Sequence, residues 1–342
     1  MDNLTHSLVG ALLGQAGLKK KTGLAMPALI IGANLPDVDA ACFFWLDGVE
    51  HLGFRRGITH GPPALVLLPL ILAGLLWGFD RWQARRGRRP AARRPVNFKW
   101  LYLLSLIGCL THPAFDWLNS YGIRLLEPFS HRWFYGDTLF IIDVWLWALM
   151  GFTLWFSLRR EKRGGNWMQP AQLGIVIALA YIGGNWATSR SMSELGNLNV
   201  AYGKPIASPV PFAFWQRDII FPDPNGRYEI LPRFSGPSAS QKVERLGDVY
   251  LPSCQLAELA KTDSQVGAFL FWSRTPFIEQ GSDGSLTLRD ARFTDPRAAG
   301  RFSVPLPQEV CSSYFNERSG GSAPPTRDPP LPVPDDIAAR QP

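Results

Sequence analysis

Six residues of the amino-terminal half have the types and spacing of a metal site: His6, Asp37, Asp39, His60, His112 and Asp116. Three of the chain's five histidines follow a threonine, in Thr5-His6, Thr59-His60 and Thr111-His112. His112 and Asp116 stand at i and i+4, so on a helix they share a face. Such a pair offers one ion an imidazole nitrogen and a carboxylate oxygen, which suits zinc or a similar divalent metal. Asp37 and Asp39 would point apart on an unbroken helix, but Pro36 supplies a local break that turns both carboxylates toward one site. Six ligand-type residues exceed what one tetrahedral zinc takes, which leaves room for two ions. Two-metal sites commonly serve phosphoester hydrolysis, and a bound metal lowers the pKa of its water to about 7, supplying hydroxide without a strong base. Asp39 and Asp116 are the expected catalytic carboxylates, Asp39 either bridging or acting as base.

Other residues are candidates for support. Thr5, Thr59 and Thr111 can donate hydrogen bonds to neighbouring ligands; alternatively their hydroxyls bond carbonyls of their own helices. Arg56 is a candidate phosphate or carboxylate clamp, with a surface cation facing headgroups as the other reading. Asp143 reads either as an outer partner of the site or as a polar contact between helices. His51 and His131 read as solvated loop histidines, and Ser130 is not read as a nucleophile because no Gly-x-Ser-x-Gly occurs. The cluster as a whole has a competing reading, a polar staple between helices. Interhelical polar contacts in membranes average only about 0.6 kcal/mol, little against burying several carboxylates, so a functional site is favoured.

The elements that must position these residues are membrane helices. Residues 1–188 are rich in Leu, Ile, Ala, Trp and Phe, with apolar segments at 4–18, 23–46, 61–79, 98–118, 138–158 and 170–188. That predicts an α-helical polytopic domain of about five to six membrane helices, the first segment being marginal in length and read as retained rather than as a cleaved signal. Basic runs abut the apolar segments at Lys19–Lys21, Arg81–Lys99 and Arg159–Arg163. Nucleic acid is one partner for such runs, but their positions fit cytoplasmic anchors better, and no nucleic acid is expected. With every basic run inside, His6, Asp37, Asp39, His60, His112, Asp116 and Asp143 all fall on the outer side at similar depth. The 13 tryptophans concentrate near segment ends, as interfacial anchors do.

Residues 189–318 are polar and predict a small β-rich, α+β soluble domain on the periplasmic side. Phe212–Phe221 and Arg227–Arg233 read as strands about a turn at Asp223–Gly226, and Pro252–Thr262 as a helix. Gly267–Glu279 and Ser285–Phe293 read as a hairpin about Gln280–Gly284. The Pro-rich tail 319–342 predicts disorder. Cys42 and Cys109 read as small buried hydrophobes, while Cys254 and Cys311 are a candidate disulfide pair in an oxidising compartment.

Met1-Asp2 with Thr5-His6, Pro36-Asp37-Val38-Asp39, Arg56-Gly57-Ile58-Thr59-His60 and His112-Pro113-Ala114-Phe115-Asp116 together resemble the YdjM-type family of bacterial inner-membrane proteins. Tyr121-Gly122, Glu127-Pro128-Phe129-Ser130 and Ile142-Asp143 fit as well, so the resemblance covers residues 1 to about 160. It implies an inner-membrane location and metal-dependent hydrolase activity. Some members carry a LexA-binding label, which an outward-facing site would not serve. The His-x3-Asp pair is also similar to that of the zinc-dependent phospholipases C, which points toward phosphoesters. The expected protein is therefore a membrane-embedded, metal-dependent hydrolase acting on an ester or phosphoester of a lipid or envelope molecule. The alternative is a non-enzymatic membrane protein, an assembly factor or a metal or proton carrier, with a structural His/Asp cluster.

Overall fold

The computed structural model describes residues 1–197, 204–222, 228–234 and 256–311. The expected turn at 223–226, the first residues of the 252–262 helix, Cys254 and the tail 319–342 lie outside them. Contacts divide the chain into two compact units: residues 1–40 with 56–187, and residues 41–55 with 188–342.

The first unit is helical. Asp2 caps α1 (Asn3–Gln15) by accepting from the amides of Leu4 and Thr5, satisfying donors that no helix can satisfy internally. α2 (Ala25–Asn34) gives way at Pro36 to a tighter 3-10 stretch over Leu35–Phe44. Pro36 lacks the N–H that an α-turn needs, so the change of pitch falls where the expected break does. A short α3 (His51–Phe54) lies in the second unit, and a 3-10 turn over Ile58–His60 leads into α4 (Pro62–Arg85). α5 (Phe98–Trp117), α6 (Val144–Lys162) and α7 (Met168–Asn197) follow.

Among the described residues, two stretches are long and apolar enough to cross a membrane, Ala25–Phe44 and Pro62–Arg85. That is fewer than the five to six spans expected. α1 has 13 residues, short of the roughly 20 a span needs. α6 ends in Arg159, Arg160, Glu161 and Lys162, which shortens its apolar length.

Glycines let the helices approach to backbone contact. A Cβ on Gly10 of α1 would lie 2.7 Å from the Leu29 carbonyl of α2, and one on Gly108 of α5 would lie 2.6 Å from the same oxygen. Gly32 of α2 sits equally tight on the Ser105 carbonyl of α5. Small residues at such crossings are the usual solution where lipid gives no hydrophobic drive between helices. Gly10 stands one turn after His6 and Gly108 one turn before His112, so the closest approaches lie beside candidate ligands. Ala28, Leu29, Ala73, Leu101 and Leu104 fill the core between α2, α4 and α5.

At the other end of these helices the basic runs meet. Lys19 Nζ pairs with Glu161 at 2.5 Å, Arg94 Nη1 donates to the Lys20 carbonyl at 3.0 Å, and Arg89 and Arg93 both hold the buried Asp80.

The second unit carries two antiparallel sheets. One runs β1 (Ile206–Val210), β2 (Ala213–Pro222), β3 (Tyr228–Phe234); the other runs β4 (Pro276–Gln280), β5 (Leu286–Asp290), β6 (Ser303–Leu306). Ile220 and Ile230 of the first sheet pack with Phe277 of the second and with Ala291 just after β5. α8 (Leu256–Thr262), α9 (Ser264–Trp272) and α10 (Pro296–Ala299) complete the unit. The strand expected over 267–279 is corrected: its first half is α9. Asp263 caps that helix through the amides of Gln265 and Val266, and Val266, Phe269 and Trp272 bury one face at helical spacing. The aromatic run that suggested a strand is this buried face. β4 and β5 do form the hairpin about residues 281–285.

Candidate metal centre

Four elements deliver the cluster. His6 comes from α1, Asp37 and Asp39 from the 3-10 stretch after α2, His60 from the turn before α4, and His112 and Asp116 from the last turns of α5. The three imidazoles and Asp116 are fully buried, and Asp37 and Asp39 nearly so. Asp116 is central. One of its oxygens lies 3.5 Å from His6 Nε2; the other lies 3.4 Å from His112 Nε2, 3.6 Å from His60 Nε2 and 3.1 Å from Arg56 Nε. Asp37 Oδ1 is 3.7 Å from His112 Nε2, and the amino terminus of Met1 also contacts Asp116. Two overlapping groups are able to hold an ion: His60 with His112 and Asp116, and His6 with Asp37 and His112.

Hydrogen bonding decides which imidazole atoms are basic. His112 Nδ1 lies 2.7 Å from the Ala33 carbonyl, which can only accept, so Nδ1 carries the proton. A neutral His112 then presents a bare Nε2 toward Asp116 and Asp37, and no hydrogen bond engages that nitrogen. Thr59 fixes His60 the same way. Its hydroxyl lies 3.2 Å from Asp39 Oδ2, an acceptor, and 3.0 Å from His60 Nδ1. Its one proton goes to the carboxylate, so it accepts from Nδ1–H and leaves His60 Nε2 as the lone-pair atom. Two imidazole lone pairs thus face one carboxylate oxygen. That arrangement is repulsive unless a cation or a proton lies between them, and it matches metal sites in which histidine donates its other N–H to a carbonyl or hydroxyl. His6 stacks on His112 with ring centroids 3.8 Å apart, and neither of its nitrogens is hydrogen-bonded.

Arg56 is bonded into the cluster and its rim. Its backbone N–H donates to Asp39 at 2.8 Å, and its guanidinium reaches Asp116, Asn119 Oδ1 at 3.1 Å and the Gly122 carbonyl at 3.0 Å, over the Tyr121 ring. It does so from a left-handed backbone, φ 56°, a conformation costly for a side-chain-bearing residue and held by these bonds. Asn119 and Tyr121 were not singled out as site residues. Tyr121-Gly122 belongs to the motif set already noted, whereas nothing local marks Asn119.

The remaining candidates bond elsewhere. Thr5 joins the α1 cap by donating to Asp2, and Thr111 donates to Gly108 O inside α5. Asp143 caps α6 at Leu146 N and accepts from Tyr181. His51 contacts the Gly48 carbonyl, and the exposed His131 contacts Glu127.

A helical unit with two membrane-length stretches and a buried His/Asp cluster able to hold a metal ion defines a class: a membrane protein with a candidate metal centre. The sequence pattern described as YdjM inner membrane protein matches residues 1–192, and the chain belongs to that family. The chain is also 30% identical over 141 residues to the uncharacterized protein YfhP of Bacillus subtilis (strain 168), a match covering 39% of this chain and 39% of that protein. No solved structure matches the chain.

Proposed function

We propose that this inner-membrane protein is a metal-dependent hydrolase with its site near one membrane surface, facing the periplasm, and an ester or phosphoester of a lipid or envelope molecule as substrate. The observation that carries the reading is the pair of fixed tautomers, His60 and His112, aiming Nε2 lone pairs at Asp116. Nε2 of both histidines and Asp116 would hold a divalent ion, zinc by its donor set. His112 has a single nitrogen to give, because Nδ1 is committed to Ala33. A second ion would therefore draw on His6 and the other Asp116 oxygen, 3.5 Å apart. A bound divalent ion supplies Lewis acidity and activates water. Asp39, fixed by Arg56 N–H and Thr59, is the carboxylate placed to take a proton. Arg56, Asn119 and the 119–127 loop set the rim that a substrate would meet.

Five to six spans remain part of this reading. α6 and α7 present Phe152, Trp155, Leu173, Val176 and Leu179 outward, an apolar surface suited to lipid. The ionisable cluster is confined to one end of the helices, which supports a closed site over a conduction path through both leaflets.

Metal analysis of the purified protein tests the reading. Bound zinc near stoichiometric, lost in both His112→Ala and Asp116→Ala, is the expected result. Unchanged metal in these variants sinks the site, and ion flux in proteoliposomes that depends on His60 would favour a carrier instead.

A further inference from the structure

The end of the first unit opposite the His/Asp cluster contains a cavity of about 480 Å³. It is lined by Lys19, Lys20 and Arg94 against one carboxylate, Glu161, with Trp167 as a wall. Glu161 is already engaged: Lys19 Nζ holds both of its oxygens at 2.5 and 2.6 Å while lying 4.1 Å above the Trp167 ring. That leaves the charges of Lys20 and Arg94 in excess. Lys20 Nζ leans over Trp167 at 5.1 Å and is exposed, and Arg94 spends one nitrogen on the Lys20 carbonyl, which is a neutral partner. Among the described residues neither Lys20 nor Arg94 forms an ion pair. The first turn of α2 faces the same space. Leu24 enters it in a left-handed conformation, φ 61°, and no side chain caps the helix, so its first amides add positive potential to that of the cations.

We propose that this cavity binds the phosphate of an anionic membrane lipid. Two unneutralised cations and a helix start are the chemistry of phosphate recognition. The surroundings select a lipid over free phosphate. The cavity sits where the apolar stretch Ala25–Phe44 begins, with Ile31 exposed on it to receive an acyl chain. Trp167 under Lys19 and Lys20, and Trp100 under Lys21 at 5.0 Å, form an aromatic and cationic rim of the kind found at headgroup level. The proposal is independent of the metal centre and of any hydrolysis there.

The test uses the full chain, purified in mild detergent, and native mass spectrometry with phosphatidylglycerol, phosphatidylcholine or inorganic phosphate added. The wild type should retain phosphatidylglycerol over phosphatidylcholine. Lys20→Gln/Arg94→Gln should weaken that retention about tenfold or more, each cation near a membrane surface being worth close to a factor of five. Because Arg94 also ties a backbone carbonyl, Lys20→Gln alone serves as the milder variant, expected to weaken retention several-fold. An unchanged size-exclusion profile and thermal melt in both variants should report that they fold. Equal retention of the two lipids, or undiminished retention by the folded variants, overturns the proposal. Inorganic phosphate displacing the lipid at equal concentration would also overturn it, by making the cavity a free-anion site.

Discussion

At the scale of single residues, the cluster is defined by where protons sit. Thr59 has one hydroxyl hydrogen and two neighbours, Asp39 and His60, so its position sets the tautomer of His60. Thr59→Val should remove that constraint and weaken metal binding about 10- to 100-fold, the usual cost of losing an outer partner of a ligand. Thr59→Ser should keep it, and chelator competition on the purified protein distinguishes the two. Metal binding that is equal in Thr59→Val and wild type would show that the hydroxyl does not orient His60. The three Thr-His pairs look alike in the sequence, yet only Thr59 touches a neighbouring histidine. Thr111 has a helix carbonyl within reach at i−3, and Thr5 has the cap of α1. Local spacing could not separate these fates, because which hydroxyl meets an imidazole depends on neighbouring elements. The spacing of His112 and Asp116 needed no such knowledge, since four residues on one helix decide it.

At the scale of elements, glycine and proline do the positioning. Pro36 was legible as a break, and the 3-10 stretch after it carries both aspartates. Gly108 was not legible, because its role lies in the α2 backbone it touches. Gly108→Val would drive a side chain into the Leu29 carbonyl and the Ala33 amide, both backbone groups that cannot rotate away. We expect a loss of about 1–3 kcal/mol or more from overpacking, with metal lost as α5 moves off α2. A thermal melt and a metal assay on the same sample check both. The second unit has its own fixed point at the end of β5. Burial alone would raise the Asp290 carboxyl, but Arg292 and the hydroxyl of Ser273 hold it well below the usual carboxylate range. A folded pKa below the unfolded one means the stabilisation is present above about pH 4 and is lost as pH falls further. Asp290→Asn leaves the buried Arg292 unbalanced and should cost about 3–5 kcal/mol. Amide exchange over Pro276–Leu306 should rise in this variant at neutral pH, and in the wild type only below about pH 4.

At the scale of the molecule, charge and chemistry sort to opposite ends of the helices. α1, α5 and the turn before α4 place His6, His112, Asp116 and His60 together, while Lys19, Glu161 and Arg94 meet at the other end. A chain that alternates direction through a membrane produces this separation if every basic loop stays on one side. The pattern of Lys and Arg in the sequence carried that inference, because charge bias needs no tertiary contact to be read. Membrane length was harder to read: charges at the end of α6 shorten its apolar run. Accessibility labelling settles the orientation. In a cysteine-free background, Phe129→Cys lies on an exposed position of the loop beside the His/Asp cluster, and Arg88→Cys on an exposed position of the basic loop. In intact cells, a membrane-impermeant maleimide should label position 129 after passing the outer envelope, and position 88 only after the inner membrane is opened. Labelling of position 88 alone in intact cells would invert the topology and turn the His/Asp cluster toward the cytoplasm. Envelope substrates would then be out of reach, and the lipid cavity would belong to the outer leaflet. Labelling of both positions from one side would instead reduce the helices to fewer crossings, leaving the cluster with a cytoplasmic or periplasmic face but no transmembrane separation from the basic end.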